Sequence, residues 1–254
     1  MGKSTLRPVI ITLTTDFGTA DGYVGAMKGV IATRAPTATM VDITHDIERH
    51  DIAAAAYTLT VASREFPADS IHVAVIDPGV GSSRAPVVVL ASGQVFIGPD
   101  NGVFALVAPE PDRAFEIINP SFRAARVSAT FHGRDVFAPA AAAIAAGLAP
   151  DKAGPEVELT GALLTESRTV VHVDRFGNLI TDIPGNKLTV GGWVAVSGAR
   201  VPVASTYADV AIGALLAYVG SANTVEVAVR EGSAADRLKV GRGFPVAVRR
   251  FGDD

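Results

Sequence analysis

The chain has 254 residues, a formal net charge of -4, 48% hydrophobic and 19% charged residues, and no cysteine. That length holds one large domain or two smaller ones, and a disordered chain, which combines low hydrophobicity with high net charge, is excluded. Without cysteine there is neither a disulfide framework nor a Cys-ligated zinc or iron–sulfur centre. The 22 basic residues are scattered rather than clustered, so the positive footprint of a phosphate-backbone binder is missing and nucleic acid is not an expected partner.

The first apolar run, Val9–Thr15, reads as a strand ending in Asp16. Its core, Val9 to Leu13, is far too short to span a bilayer and no small-residue cleavage site follows, so the expectation is a cytoplasmic protein with no membrane association. Gly22–Arg34 carries Tyr23, Val24, Met27, Val30 and Ile31 at helical spacing. Ala38–Val41 reads as a strand before Asp42, and Ile52–Arg64 as a helix with Asp51 as N-cap. Ile71–Ile76 before Asp77 and Val95–Gly98 near Asp100 complete four apolar runs that end in or near an aspartate. Such runs are the signature of strands buried on both faces, and their alternation with helices predicts a mainly parallel sheet. An alanine-rich helix, about Val136–Ala146, closes this part at Gly147.

Beyond residue 150 the texture changes. Pro150, Gly154, Pro155 and Gly161 interrupt the chain, and short strand-like segments follow at Val170–Asp174, Leu179–Asp182, Trp193–Val196, Thr224–Val229 and Phe244–Val248. The expected architecture is an N-terminal α/β domain with a mainly parallel central sheet over residues 1–160. A smaller C-terminal β-barrel-like domain over 168–254 follows, with the boundary between 160 and 168.

In open α/β sheets ligands bind at the carboxyl ends of strands, where this reading puts Asp16, Asp42, Asp77 and Asp100. Each has an ordinary competing role as turn former or helix N-cap. Asp16-Phe17-Gly18-Thr19-Ala20-Asp21-Gly22 sets two carboxylates on one glycine-bearing loop, and a carboxylate is a natural bidentate acceptor for the vicinal hydroxyls of a ribose. Asp77-Pro78-Gly79-Val80-Gly81-Ser82-Ser83-Arg84 fixes a tight loop between a carboxylate and a guanidinium, a pair more often structural than catalytic. Thr130-Phe131-His132-Gly133-Arg134-Asp135 places a histidine beside a glycine just before a helix. His72 and His172 fall inside strands and read as structural, whereas His45 and His50 around Asp46 offer only a weak pattern for a metal site. In the second part, Asp174-Arg175-Phe176-Gly177-Asn178 suits a polar aromatic ligand and equally a glycine hairpin with Asn at the turn.

Taken in order, six blocks resemble the S-adenosylmethionine hydroxide adenosyltransferase family, the hydrolytic relatives of the fluorinases and chlorinases. The blocks are Thr15-Asp16-Phe17-Gly18, Asp42-Ile43-Thr44-His45, Val75-Ile76-Asp77-Pro78-Gly79-Val80-Gly81, Gly98-Pro99-Asp100-Asn101-Gly102, Phe131-His132-Gly133-Arg134-Asp135 and Asp174-Arg175-Phe176-Gly177-Asn178. Each is short, but six in sequence over nearly the whole chain are specific. The resemblance implies an α/β domain followed by a β-barrel, a homotrimer, and active sites between the N-terminal domain of one subunit and the C-terminal domain of the next.

It also implies hydrolysis of S-adenosylmethionine to adenosine and methionine by water attacking the ribose 5′ carbon. The leaving group is a neutral thioether, so neither a general acid nor a cofactor or metal is required. Asp77, Arg84 and His132 match the family's water-activating trio, which the halide-using relatives lack. Asp16 is expected to accept the ribose hydroxyls and Asp21 to help hold the methionine amino group, with Phe131 and Gly133 beside the histidine at the substrate. His50 stands where the fluorinases carry a tryptophan against the substrate, so the lining near the sugar differs. From the neighbouring subunit, Asp174 and Asn178 are expected at the methionine or nucleoside portion, Phe176 and Tyr207 flanking adenine, and Ser233 and Ala234 reading the adenine edge. The alternatives are a halide-dependent adenosyltransferase, a metal-dependent nucleoside hydrolase and a non-catalytic adenosine or S-adenosylmethionine binding protein. A calcium-dependent nucleoside hydrolase carries further aspartates where this chain has Thr14 and Ala20, and the missing carboxylates are costly for calcium.

Overall fold

The computed structural model describes residues 8–161, 168–189 and 191–249. The chain divides into two compact units, Met1–Leu163 and Leu164–Asp254. The domain boundary expected from sequence runs through residues 162–167, which lie outside the described residues.

The first unit contains β1 (Ile10–Thr15), α1 (Tyr23–Arg34), β2 (Thr39–Thr44), α2 (Ile52–Ser63), β3 (Ile71–Val75), β4 (Pro86–Ala91), β5 (Gln94–Pro99), β6 (Arg113–Glu116) and α3 (Ala138–Ala145). One six-stranded sheet has the order β2-β1-β3-β5-β4-β6. β2, β1, β3 and β5 pair in parallel, while β4 runs antiparallel to both β5 and β6. The sheet is therefore mixed, and β4 and β6 add to the strands expected from sequence. The turn between β4 and β5, Ser92-Gly93, has both φ angles positive, 53° and 73°; this is the backbone that a two-residue hairpin needs and that Gly supplies cheaply.

Alternation along the strands divides the core. Ile11, Leu13, Val73 and Val75 point to one face, where Met27 and Ile31 of α1 and the alanines of α3 cover them. Ala74, Ile76, Val87 and Val89 point to the other, against Ala55 and Leu59 of α2 and Phe96 and Phe104. Asp51 caps α2 as expected, accepting from the Ala54 N–H at 2.8 Å. α3 begins later than the alanine pattern suggests, because Gly133–Phe137 form a π-helical turn in which the Ala138 N–H reaches the Gly133 carbonyl.

The second unit comprises β7 (Val170–Val173), β8 (Leu179–Pro184), β9 (Trp193–Val196), β10 (Ala199–Pro202), β11 (Leu215–Val219), β12 (Thr224–Val229), α4 (Ala234–Leu238) and β13 (Ala247–Arg249). Two antiparallel sheets, β11-β12-β8-β7 and β10-β9-β13, meet at both edges through bridges Val203–Ala217 and Thr169–Pro245. The result is barrel-like, filled by Val170, Leu179, Val194, Val196, Val201, Val225 and Val227. β10 and β11 are additions to the sequence reading, and Ser197-Gly198, again with two positive φ angles, forms the tight β9–β10 turn.

Among the described residues no helix is long and apolar enough to cross a membrane.

Candidate active site

Parallel pairing brings the carboxyl ends of β1, β2 and β3 side by side, and a cleft of about 960 Å³ opens there. Asp16 enters it directly after β1 and Asp77 two residues after β3. The other two strand-associated aspartates do not line it. Asp42 lies within β2 and pairs with Lys28, 2.5 Å away. Burial pushes its carboxyl up, but the hydrogen bond from Lys28 and the nearby His45 ring outweigh this and leave it below the usual value. Asp100 accepts from the Thr160 N–H, the Thr160 hydroxyl and the Gly161 N–H at 2.7–2.9 Å, which ties down the end of the unit.

Arg84 organises the reactive wall. Its Nε donates to Asp77 Oδ1 at 2.9 Å, its Nη2 donates to Asp77 Oδ2, and Nη2 also lies 2.6 Å from His132 Nδ1. The Asp77 and Arg84 side chains are only 5% and 9% exposed, so little water competes for these bonds. The buried Phe137 ring lies 5.4 Å from the guanidinium and 6.5 Å from the imidazole. A guanidinium has no acceptor, so His132 Nδ1 accepts, and the neutral ring carries its proton on Nε2. Burial first, and then the Arg84 charge, hold the His132 pKa below its ordinary value of 6.5; the ring is neutral at neutral pH.

The approach of the two loops depends on Gly81. Its φ is 79°, and a Cβ there would stand 2.7 Å from the Ala129 carbonyl oxygen. The segment that carries His132 is fixed in turn by Asp135, a buried carboxylate that accepts from the Ser128 N–H and from both Nε and Nη2 of Arg134.

Phe17, Tyr23 and Phe131 form an apolar corner of the cleft, with ring centroids 5.2–6.1 Å apart in tilted and edge-on pairs. Gly133 fits beneath it, since a Cβ would meet Met27 Sδ at 3.1 Å and the Phe17 and Phe131 rings at 3.4 Å. Five carboxylates, Asp16, Asp21, Asp46, Glu48 and Asp77, line the cleft; Arg84 balances Asp77 and Arg49 is the one guanidinium in the lining, which leaves a negative balance that favours a cationic ligand. His50 adopts φ 66° and donates its N–H to Asp16 Oδ2 at 2.9 Å.

Of the residues singled out from sequence, the structure thus gathers Asp16, Asp21, His50, Asp77, Phe131, His132 and Gly133 around one cleft, with Arg84 bonded to two of them. Sequence reasoning did not name Tyr23 or His45 as part of its wall. Tyr23 carried only the signal of a helical apolar stripe, yet it sits in the first turn of α1 and is 50% exposed.

Asp174, Phe176, Asn178, Tyr207, Ser233 and Ala234 belong to the second unit. Asp174 Oδ1 accepts from the N–H groups of Phe176 and Asn178, and Oδ2 accepts from the Asn178 amide, all at 2.8–2.9 Å. The segment is therefore a β7–β8 hairpin, with Gly177 at φ 79° and Phe176 held at its tip, 76% exposed. Ser233 caps α4 by accepting from the Asp236 N–H at 3.0 Å, and Ala234 is fully buried. The Tyr207 hydroxyl lies 2.7 Å from that of Tyr218, which donates to the buried Glu226.

Residues 11–154 match the model of the SAM hydroxide adenosyltransferase N-terminal domain and residues 168–247 that of the C-terminal domain. The chain belongs to the SAM hydroxide adenosyltransferase family. It is 44% identical to the (R)-S-adenosyl-L-methionine hydrolase of Thermus thermophilus, over 96% of this chain and 100% of that one. A crystal structure of an uncharacterized conserved protein from Thermotoga maritima superposes with a TM-score of 0.88 at 34% identity, covering 94% and 99% of the two chains. A fluorinase from Nocardia brasiliensis is a more distant relative of this SAM hydroxide adenosyltransferase chain, 25% identical over 96% of it and 97% of the fluorinase.

Proposed function

We propose that this protein hydrolyses (R)-S-adenosyl-L-methionine to adenosine and L-methionine by attack of water on the ribose 5′ carbon. The observation that carries this reading is the Asp77–Arg84–His132 cluster in a cleft lined by carboxylates. The sulfonium and the ammonium of the substrate are cations and suit that lining.

As the water oxygen bonds to the 5′ carbon, the carbon–sulfur bond breaks and sulfur keeps the electron pair, which neutralises the sulfonium. The water gives up a proton, and the arrangement of donors supports one acceptor. His132 is neutral, spends its Nδ1 lone pair on Arg84 and presents an N–H at Nε2, so it orients the water as a donor. Asp77 has a lone pair left on each oxygen after its bonds to Arg84, and it is the proton acceptor. Arg84 holds both groups at fixed separation and favours the negative charge that develops on oxygen.

Asp16 accepts the ribose hydroxyls and Asp21 contacts the methionine amino group. Phe131, Gly133 and His50 complete this side of the substrate site. Asp174, Phe176, Asn178, Tyr207, Ser233 and Ala234 contribute from a neighbouring subunit of a homotrimer, as the family resemblance implies, and the enzyme works in the cytoplasm. Incubation with each sulfur epimer of S-adenosylmethionine, followed by chromatography, tests the proposal: equimolar adenosine and methionine from the R epimer support it, and release of adenine or no turnover overturns it.

A further inference from the structure

A second chain of polar side chains reaches the cleft and takes no part in the step above. Lys28 Nζ of α1 lies 2.5 Å from Asp42 Oδ2, and Asp42 Oδ1 lies 3.1 Å from His45 Nε2, off the line of an ideal hydrogen bond. On the other side of the ring, His45 Nδ1 lies 2.9 Å from Thr15 Oγ1, which also accepts from the Phe17 N–H at 3.3 Å. His45 is 6% exposed and Thr15 fully buried. The backbone joins in: the His45 carbonyl accepts from the Gly18 N–H at 2.8 Å.

A local irregularity makes this chain possible. The β1–β2 register passes from Leu13↔Asp42 to Thr14↔Thr44, so that Ile43 is an extra residue. In a regular strand positions three apart point to opposite faces; the bulge lets Asp42 and His45 meet. The Thr15 oxygen accepts from Phe17 and keeps one hydrogen and one lone pair, so it can pair with His45 Nδ1 in either ring tautomer. On its other side the ring faces the Asp42 carboxylate, which Lys28 balances.

The residues on both sides of Asp16 are therefore pinned. His50 engages Asp16 Oδ2, and Oδ1 has no partner among the described residues. We propose that His45, held by Asp42 and Lys28, is a positioning residue that locks Thr15, Phe17 and Gly18 around Asp16 and keeps Asp16 Oδ1 free for the ribose hydroxyls. This inference rests on the reading of Asp16 as the sugar contact.

The test uses the full-length protein, with kcat and KM measured for S-adenosylmethionine and for its 2′,3′-dideoxy analogue. His45→Leu should raise KM for S-adenosylmethionine about tenfold, the scale of one hydrogen bond, with kcat changed less than about threefold. It should leave KM for the dideoxy analogue unchanged and add nothing in an Asp16→Asn background. His45→Asn, which keeps an acceptor for Thr15, should recover most of the loss. Should His45→Leu fail to fold, Asp42→Ala carries the test, because that side chain is 40% exposed; it should raise KM about threefold with the same dependence on the hydroxyls. An unchanged KM, or an equal loss on the dideoxy analogue, overturns the positioning role. If Asp16→Asn itself leaves KM unchanged, the sugar-contact reading fails instead, and the two failures are told apart.

Discussion

Replacing Asp77 with asparagine removes the proposed proton acceptor while keeping the shape of the side chain. Arg84 donates to both oxygens of Asp77, so in the variant one guanidinium donor faces an amide N–H₂ instead of an oxygen. With the two side chains 5% and 9% exposed, water replaces little of that bond, and the loss is about 1.5–3 kcal/mol. At about 2–4 °C per kcal/mol for a chain of this size, the melting midpoint should fall by about 3–12 °C. The effect on rate is larger and separate. Loss of a general base lowers turnover by about 10²–10⁴, or about 3–5 kcal/mol of barrier. KM should move less than about threefold, since asparagine fills the same space. Adenosine release at saturating substrate, followed by chromatography beside thermal melts in the same buffer, measures both. A folded Asp77→Asn protein that keeps more than about a tenth of wild-type kcat would refute the assignment of the base.

Acid should weaken the fold through His72, which is fully buried in β3 with Nδ1 2.8 Å from Thr12 Oγ1 and its ring stacked 5.0 Å from Phe96. Burial pushes its pKa from 6.5 down to about 4. The unfolded chain therefore binds this proton first as pH falls, and stability present above about pH 6.5 is lost toward pH 4 by roughly 3 kcal/mol. Urea unfolding at several pH values should show that loss in wild type and a correspondingly smaller one in His72→Phe; parallel curves would contradict it. Excess chloride or fluoride should give no 5′-halogenated adenosine, and oxygen from labelled water should appear at the 5′ carbon, because in the proposed mechanism the Asp77 carboxylate disfavours an anion and accepts from water; a halogenated main product would reverse the choice of nucleophile. Turnover should survive a chelator, and metal-dependent recovery after its loss would revive the nucleoside hydrolase alternative. Inactive Asp16→Ala and Asn178→Ala proteins should partly restore activity when co-expressed, whereas a fully active monomer by light scattering would exclude a site shared between subunits.

The parts of the fold legible in the sequence were those governed by period and capping. β1, α1, α2 and β3 lie within a residue or two of the bounds their sequence implies, because each is a continuous buried run or a helical stripe, α2 with the added start signal of Asp51. β6 is only four residues long, too short to show a period. β4 is itself a buried apolar run, Pro86–Ala91, and the Ser92-Gly93 turn after it is a hairpin signal; for β10, which has no such run, the Ser197-Gly198 turn is the available signal. At the site, the sequence singles out Asp16, Asp77, Arg84 and His132 as candidates, but nothing in residue order states that Arg84 bonds Asp77 and His132 at once. Asp42 and Asp100 show the converse: Asp42 falls inside β2 and Asp100 directly after β5, and both are taken up in structural bonds rather than lining the cleft.

Four departures from regular backbone border this cleft, and each has an identifiable job. The extra residue at Ile43 brings Asp42 to His45. The left-handed His50, at φ 66°, turns its N–H onto Asp16; such a conformation costs a non-glycine residue about 1–3 kcal/mol. Gly81 lets the Asp77–Arg84 loop touch the backbone at Ala129, three residues before His132. The π-turn at Gly133–Phe137 follows His132 directly and positions Phe137 behind both His132 and Arg84. A regular strand, turn or helix at any of these points would satisfy local propensity better, but it would separate groups that the proposed chemistry needs within hydrogen-bond reach. Local rules therefore read the frame of this molecule well, and they fail beside the cleft because there the backbone is set by contacts between segments up to about a hundred residues apart rather than by its own sequence.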